Sequence, residues 1–140
     1  MVTKIQIQNL RKVYDTPERQ VRALEAINLN IADGEFVCLV GLSGCGKTTL
    51  LNILAGFVEI TSGAVWMDGA SLTDNYDRGV VFQEYALFPW YTALQNVEYG
   101  LKIRKVPAAQ REKIAREFLQ LVRLDAFADF YPHSLSGGMR

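Results

Sequence analysis

This chain is short of cysteine and histidine and has no excess of charge. Its 140 residues include two cysteines, one histidine and four prolines, and 15 lysines and arginines balance 15 aspartates and glutamates. The zero net charge removes the bulk electrostatic case for a partner such as nucleic acid or an acidic membrane surface. Cys38 falls in an apolar run and Cys45 in a glycine-rich loop, so neither reads as half of a disulfide or as a metal ligand, and a reducing cytoplasm fits both. The longest apolar runs are about five residues, against the roughly 20 that span a bilayer. The first residues, Met1-Val2-Thr3-Lys4, hold no apolar signal core. Any membrane association is therefore expected to come through a partner. Repeats and low-complexity linkers are missing as well.

What is present is apolar enough, at 49%, to build the core of a domain of ordinary size. Ile5 and Ile7 alternate with Gln6 and Gln8, the period-two pattern of a half-buried strand, and Ile27, Leu29 and Ile31 repeat it. Asp33-Gly34 then predicts a tight turn into a strand over Phe36–Val40, apolar on both faces as a central parallel strand would be. A helix is expected over Lys47–Ala55, a short strand over Gly63–Gly69 closed by Asp68-Gly69, and a second buried strand over Gly79–Gln83. From Pro89 onward the pattern turns helical. Thr92 and Gln95 form a capping box, with Leu94, Val97 and Leu101 following at helical spacing. A second helix is expected over Pro107–Arg123, packing through Ile114, Phe118, Leu121 and Val122, and a short turn over Leu124–Phe130 that Pro132 ends. Residues 1–88 thus read as β strands and a core, and residues 89–140 as a helical subdomain.

Between the strand at 36–40 and the helix at 47 lies Gly41-Leu42-Ser43-Gly44-Cys45-Gly46-Lys47-Thr48-Thr49. Two glycines around four free positions, then Lys-Thr, make a P-loop, whose backbone N–H groups turn inward on an anion. Gly41, Gly44 and Gly46 allow conformations and approach distances that a Cβ blocks. Lys47 is a point charge for the β and γ phosphates, and the Thr48 hydroxyl is a ligand type that phosphate-bound Mg²⁺ accepts. Thr49 and the first helical turn add N–H groups and the positive end of the helix dipole. The motif points to a bound nucleoside triphosphate.

A second glycine-rich segment, Leu135-Ser136-Gly137-Gly138-Met139, offers a hydroxyl and free N–H groups, and alone reads equally as a helix N-cap and flexible loop. Taken with the P-loop and with Gln83 at a strand end, it makes the chain resemble the ATP-binding subunits of ABC transporters, from about Ile5 to Arg140. Gly41–Thr49 resembles that family's Walker A loop, Gln83 its Q-loop glutamine, and Leu135–Met139 its signature, with Met139 in place of the commoner Gln. Tyr14 matches the aromatic that stacks on adenine. His133 precedes the signature and reads as a surface residue with no catalytic part. Phe88-Pro89-Trp90 is similar to the subgroup serving importers of nitrate, sulfonates and taurine, although a patch that only packs the helical layer would look the same.

The resemblance implies an α/β fold: a P-loop NTPase core with an incomplete parallel sheet, N-terminal antiparallel strands and a helical subdomain. It implies ATP and Mg²⁺ as ligands, held by Tyr14, Gly41, Ser43, Gly44, Cys45, Gly46, Lys47, Thr48, Thr49 and Gln83, with Thr48 and Gln83 toward the metal and Gln83 toward the attacking water. It implies a head-to-tail homodimer in which Ser136, Gly137 and Gly138 close on the partner's ATP. It also implies transmembrane permease subunits docking at Gln83 to Trp90, a separate solute-binding protein, and a place on the inner face of the cell membrane. The family's Mg²⁺-positioning aspartate, neighbouring glutamate and switch histidine match nothing in these residues. The chain is therefore expected to be an N-terminal fragment that binds ATP without turning it over. The rival expectations are a truncated nucleotide-binding module that never hydrolyses, and a soluble ABC-type ATPase of DNA repair or translation.

Overall fold

The computed structural model describes residues 2–72, 78–82, 84 and 86–140. Two compact units form, Met1–Val80 and Val81–Arg140.

The first unit is a mixed α/β layer. Strands β1 (Thr3–Asp15) and β2 (Gln20–Ala32) make a long hairpin, joined by β3 (Ser62–Met67) and β4 (Ala70–Ser71) in the order β2-β1-β3-β4, antiparallel throughout. Asp68-Gly69 connects β3 to β4 with φ of 52° and 78°, the two positive angles that a two-residue hairpin needs to match strand twist. Helix α1 (Lys47–Leu54) lays Leu50 and Ile53 on one face of this sheet, where they bury Ile7, Leu10, Leu24 and Val65. Apolar burial of about 25 cal/mol per Å² makes this cluster the main support of the unit.

The antiparallel strands and the helix stand where the sequence puts them, but Phe36–Val40 belongs to no sheet among the described residues. Phe36 is 90% and Val40 94% exposed. A strand exists only through a ladder with its neighbours, and no described segment pairs with this one. The same holds for residues 79–82, with Val81 fully exposed; Gln83, at the end of that expected strand, lies outside the described residues.

The second unit is a helical pair, α2 (Ala93–Ile103) and α3 (Ala108–Leu121), followed by single 3₁₀ turns at Asp125–Phe127, Pro132–Ser134 and Gly137–Met139. The capping box is present: Thr92 Oγ1 accepts from Gln95 N–H and Gln95 Oε1 accepts from Thr92 N–H. Leu94, Ala115, Leu119 and Ala128 form the core. The expected packing stripe on α3 is therefore off by one position. Phe118, Leu121 and Val122 are exposed, and the wholly buried Ala115, having no side chain beyond Cβ, lets the helices approach. Pro132 opens a 3₁₀ turn at its first position instead of only ending the preceding one, its fixed φ suiting that place.

Candidate functional site

The loop at 41–48 is built around two left-handed glycines and one lysine. Gly44 and Gly46 have φ of 81° and 95°, a region that only glycine enters without cost. At Gly46 there is a second constraint, because a Cβ would stand 2.5 Å from the Ala23 carbonyl oxygen and 2.8 Å from Leu24 Cδ2. The loop is thus pressed against the main chain of β2. A Cβ on Gly41 would meet Cys45 Sγ at 2.7 Å, so the loop also closes tightly on itself.

Lys47 Nζ donates to the carbonyls of Gly41 (2.7 Å) and Leu42 (2.8 Å) and lies 3.5 Å from Cys45 Sγ. The ammonium is folded back over the loop and held by its carbonyls. Helix α1 begins at Lys47 behind Gly46 as its N-cap, with no side-chain cap and no acidic residue in its first turn. Its first N–H groups and the positive end of its dipole therefore remain for an outside anion. The loop fits a polyphosphate: glycines at 41, 44 and 46, a fixed ammonium, the uncapped N–H groups of the first turn of α1 and the Thr48 hydroxyl at the second helical position, with the Cys45 N–H held by the Leu42 carbonyl at 3.3 Å. No group of three or more metal-ligating carboxylate, imidazole or thiol side chains occurs among the described residues.

Strand pairing brings Tyr14 toward this loop. Tyr14 opposes Val21 on β2, and Ala23, which touches Gly46, is two residues further along, roughly 7 Å at the rise of a strand. Tyr14 is 37% exposed. Lys12 Nζ sits 4.8 Å from the centroid of its ring, a neighbour that sequence reasoning missed although the i, i+2 spacing in a strand could have shown it.

In the second unit, Ser136 precedes the Gly137–Met139 turn but its side chain makes no capping bond, and the turn is too short to carry a dipole. Arg140 Nε and Nη2 both donate to the Leu135 carbonyl, at 3.0 and 2.8 Å, closing the segment. Tyr131 and His133 stack at 5.8 Å just before it.

Phe88 and Trp90, in the segment expected to meet a membrane subunit, form a cluster of four rings with Tyr91 and with Tyr99 of α2, centroids 4.5–6.3 Å apart. Trp90 is 65% exposed. Asn96, which sequence reasoning also missed, holds this segment by four hydrogen bonds. Its Oδ1 accepts from Phe88 N–H, and its Nδ2 donates to the carbonyls of Phe88, Tyr91 and Thr92. Among the described residues, no helix is long and apolar enough to cross a membrane.

Residues 24–140 match the family model described as ABC transporter. The chain is 45% identical, over its full length, to an ABC transporter ATP-binding protein of Methanocaldococcus jannaschii, covering 53% of it. It is 46% identical to the nitrate import ATP-binding protein of Synechocystis (97% of this chain, 52% of that one). To the taurine import ATP-binding protein of Pelagibacter ubique it is 42% identical (95% and 51%). A solved dimeric ATP-binding cassette in a post-hydrolysis state, bound to ADP and Pi, superimposes with a TM-score of 0.83 at 37% identity, over 96% of this chain and 64% of that one. The chain spans about half the length of the curated relatives it matches.

Proposed function

This chain belongs to the ABC transporter family, and we propose that it is the ATP-binding part of an importer subunit, holding the nucleotide between Tyr14 and the loop at 41–49. The observation that carries this is the Lys47 ammonium, bonded to the Gly41 and Leu42 carbonyls at the open N-terminus of α1. Backbone N–H groups from Gly41, Ser43, Gly44, Cys45 and Gly46 and the first residues of α1 take the phosphates, Lys47 supplies the charge, and Tyr14 stacks on the base. Thr48, with Gln83 by resemblance, would hold Mg²⁺, which when bound neutralises phosphate charge.

Relatives named for nitrate and taurine import support an importer of a small nitrate-, sulfonate- or taurine-like solute. In that setting Ser136, Gly137 and Gly138 act on the nucleotide of a second copy in a head-to-tail dimer. The Gln83 to Trp90 segment docks a transmembrane permease subunit on the inner face of the membrane, and a separate solute-binding protein delivers the cargo. Phosphoryl transfer depends on positioned charge, and these residues supply only part of it. The 140 residues therefore bind MgATP without steady turnover. Calorimetry on the purified chain is expected to show MgATP binding that Lys47→Ala weakens at least about tenfold, with no phosphate release. A steady ATPase rate abolished by Lys47→Ala would refute the non-hydrolysing half of the reading, and absence of any nucleotide binding would refute the whole.

A further inference from the structure

The nucleotide reading gives no part to Lys12, yet the strand places it beside the site. Leu10, Lys12 and Tyr14 alternate onto one face of β1, and Leu10 shows which face that is, since it is buried with Leu50 and Ile53 of α1. The pairing agrees: Lys12 opposes Leu24, whose Cδ2 lies against Gly46, and Tyr14 opposes Val21. The extra residues of the two register shifts around Lys12 fall on β2, so the alternation along β1 is unbroken here. Lys12 and Tyr14 therefore continue the α1-covered face toward the hairpin tip, and the Lys12 ammonium lies 4.8 Å from the centroid of the Tyr14 ring. That is inside the roughly 6 Å over which a cation is attracted to an aromatic face.

We propose that Lys12 is a positioning residue for the nucleotide base: seated on one face of Tyr14, it fixes the ring and leaves the other face for a purine. This role rests on the reading of Tyr14 as the base platform. An exposed side chain that hops between rotamers loses that freedom when a ligand stacks on it. A ring already held loses less, so the contact strengthens binding by preorganisation.

The test is calorimetry on the 140-residue chain with two probes, MgATP and inorganic tripolyphosphate, which has no base. Lys12→Met keeps the aliphatic stem and removes the charge. It is expected to weaken MgATP by about two- to fivefold, the fold-change of an exposed cation–π contact, and to leave tripolyphosphate unchanged. Lys12→Arg is expected to restore MgATP affinity, and Lys12→Met is expected to have no further effect in a Tyr14→Ala background. Equal weakening of both probes would make Lys12 a phosphate charge and overturn the positioning role, as would unchanged or tighter MgATP binding. If the unaltered chain binds neither probe, the nucleotide reading itself falls; if it binds both and Lys12 proves inert, only the role of Lys12 falls.

Discussion

The two glycine-rich loops look alike as strings and differ as structures. The loop at 41–48 is anchored by Lys47, left-handed at Gly44 and Gly46, wedged against β2, and followed by an eight-residue helix. The loop at 135–139 ends in a single 3₁₀ turn, with a serine hydroxyl that caps nothing and an arginine on the Leu135 carbonyl. Glycine makes backbone N–H groups reachable, but an anion site also needs a fixed charge and a helix long enough to have a dipole. The first loop has all of these. The second has donors and a guanidinium on its own carbonyl, but no helix long enough to carry a dipole.

The strongest way to break this contrast is Gly46→Ala. A left-handed alanine costs about 1–2 kcal/mol, and the overlap with the Ala23 carbonyl adds to it. Nucleotide binding is expected to vanish and Tm to fall by roughly 5 °C or more, read by calorimetry and thermal melting. Lys47→Ala comes next. It leaves the fold intact and weakens MgATP at least about tenfold, as expected for a charged hydrogen bond worth roughly 1.5–3 kcal/mol. Gly44→Ala meets nothing within 4 Å, so only the strain of about 1–2 kcal/mol remains. It should lower Tm by a few degrees while some MgATP binding survives; a loss as complete as that of Gly46→Ala would show that the wedge against β2 is not what sets Gly46 apart. Smallest of all is Ser136→Ala, expected to leave MgATP affinity of the isolated chain unchanged in the same titration. If it weakened binding as much as Lys47→Ala, the two loops would not differ in the way described.

Features decided within a few residues were legible in the sequence. The P-loop, the Thr92–Gln95 capping box and the Asp68-Gly69 turn each rest on contacts between near neighbours, so the pattern and the structure coincide. Features decided by distant partners were not. Phe36–Val40 has the composition of a buried strand, but a ladder needs a second segment, and none of the described residues supplies one. On α3 the apolar period was visible, yet which stripe is buried depended on Ala115 and Leu119 meeting α2, a choice that periodicity leaves open. In the candidate site, Gly41–Thr49 could be read directly. The cation on Tyr14 was missed, because the i, i+2 spacing puts a lysine and an aromatic on one face of a strand without showing that they touch. Asn96 was hidden for a similar reason, its amide serving a segment that a helical pattern search treats as loop.

The contact at Gly46 also bears on how this chain can change over generations. The atom that would strike a side chain at position 46 first is the main-chain oxygen of Ala23, which every amino acid at position 23 possesses. No compensating substitution at 23 can make room; only a displacement of the β2 backbone could. Such a displacement would disturb the hairpin that also carries Tyr14. Position 46 is thus closed to stepwise exploration, and a lineage that lost this glycine would have to rebuild a strand edge and a loop together.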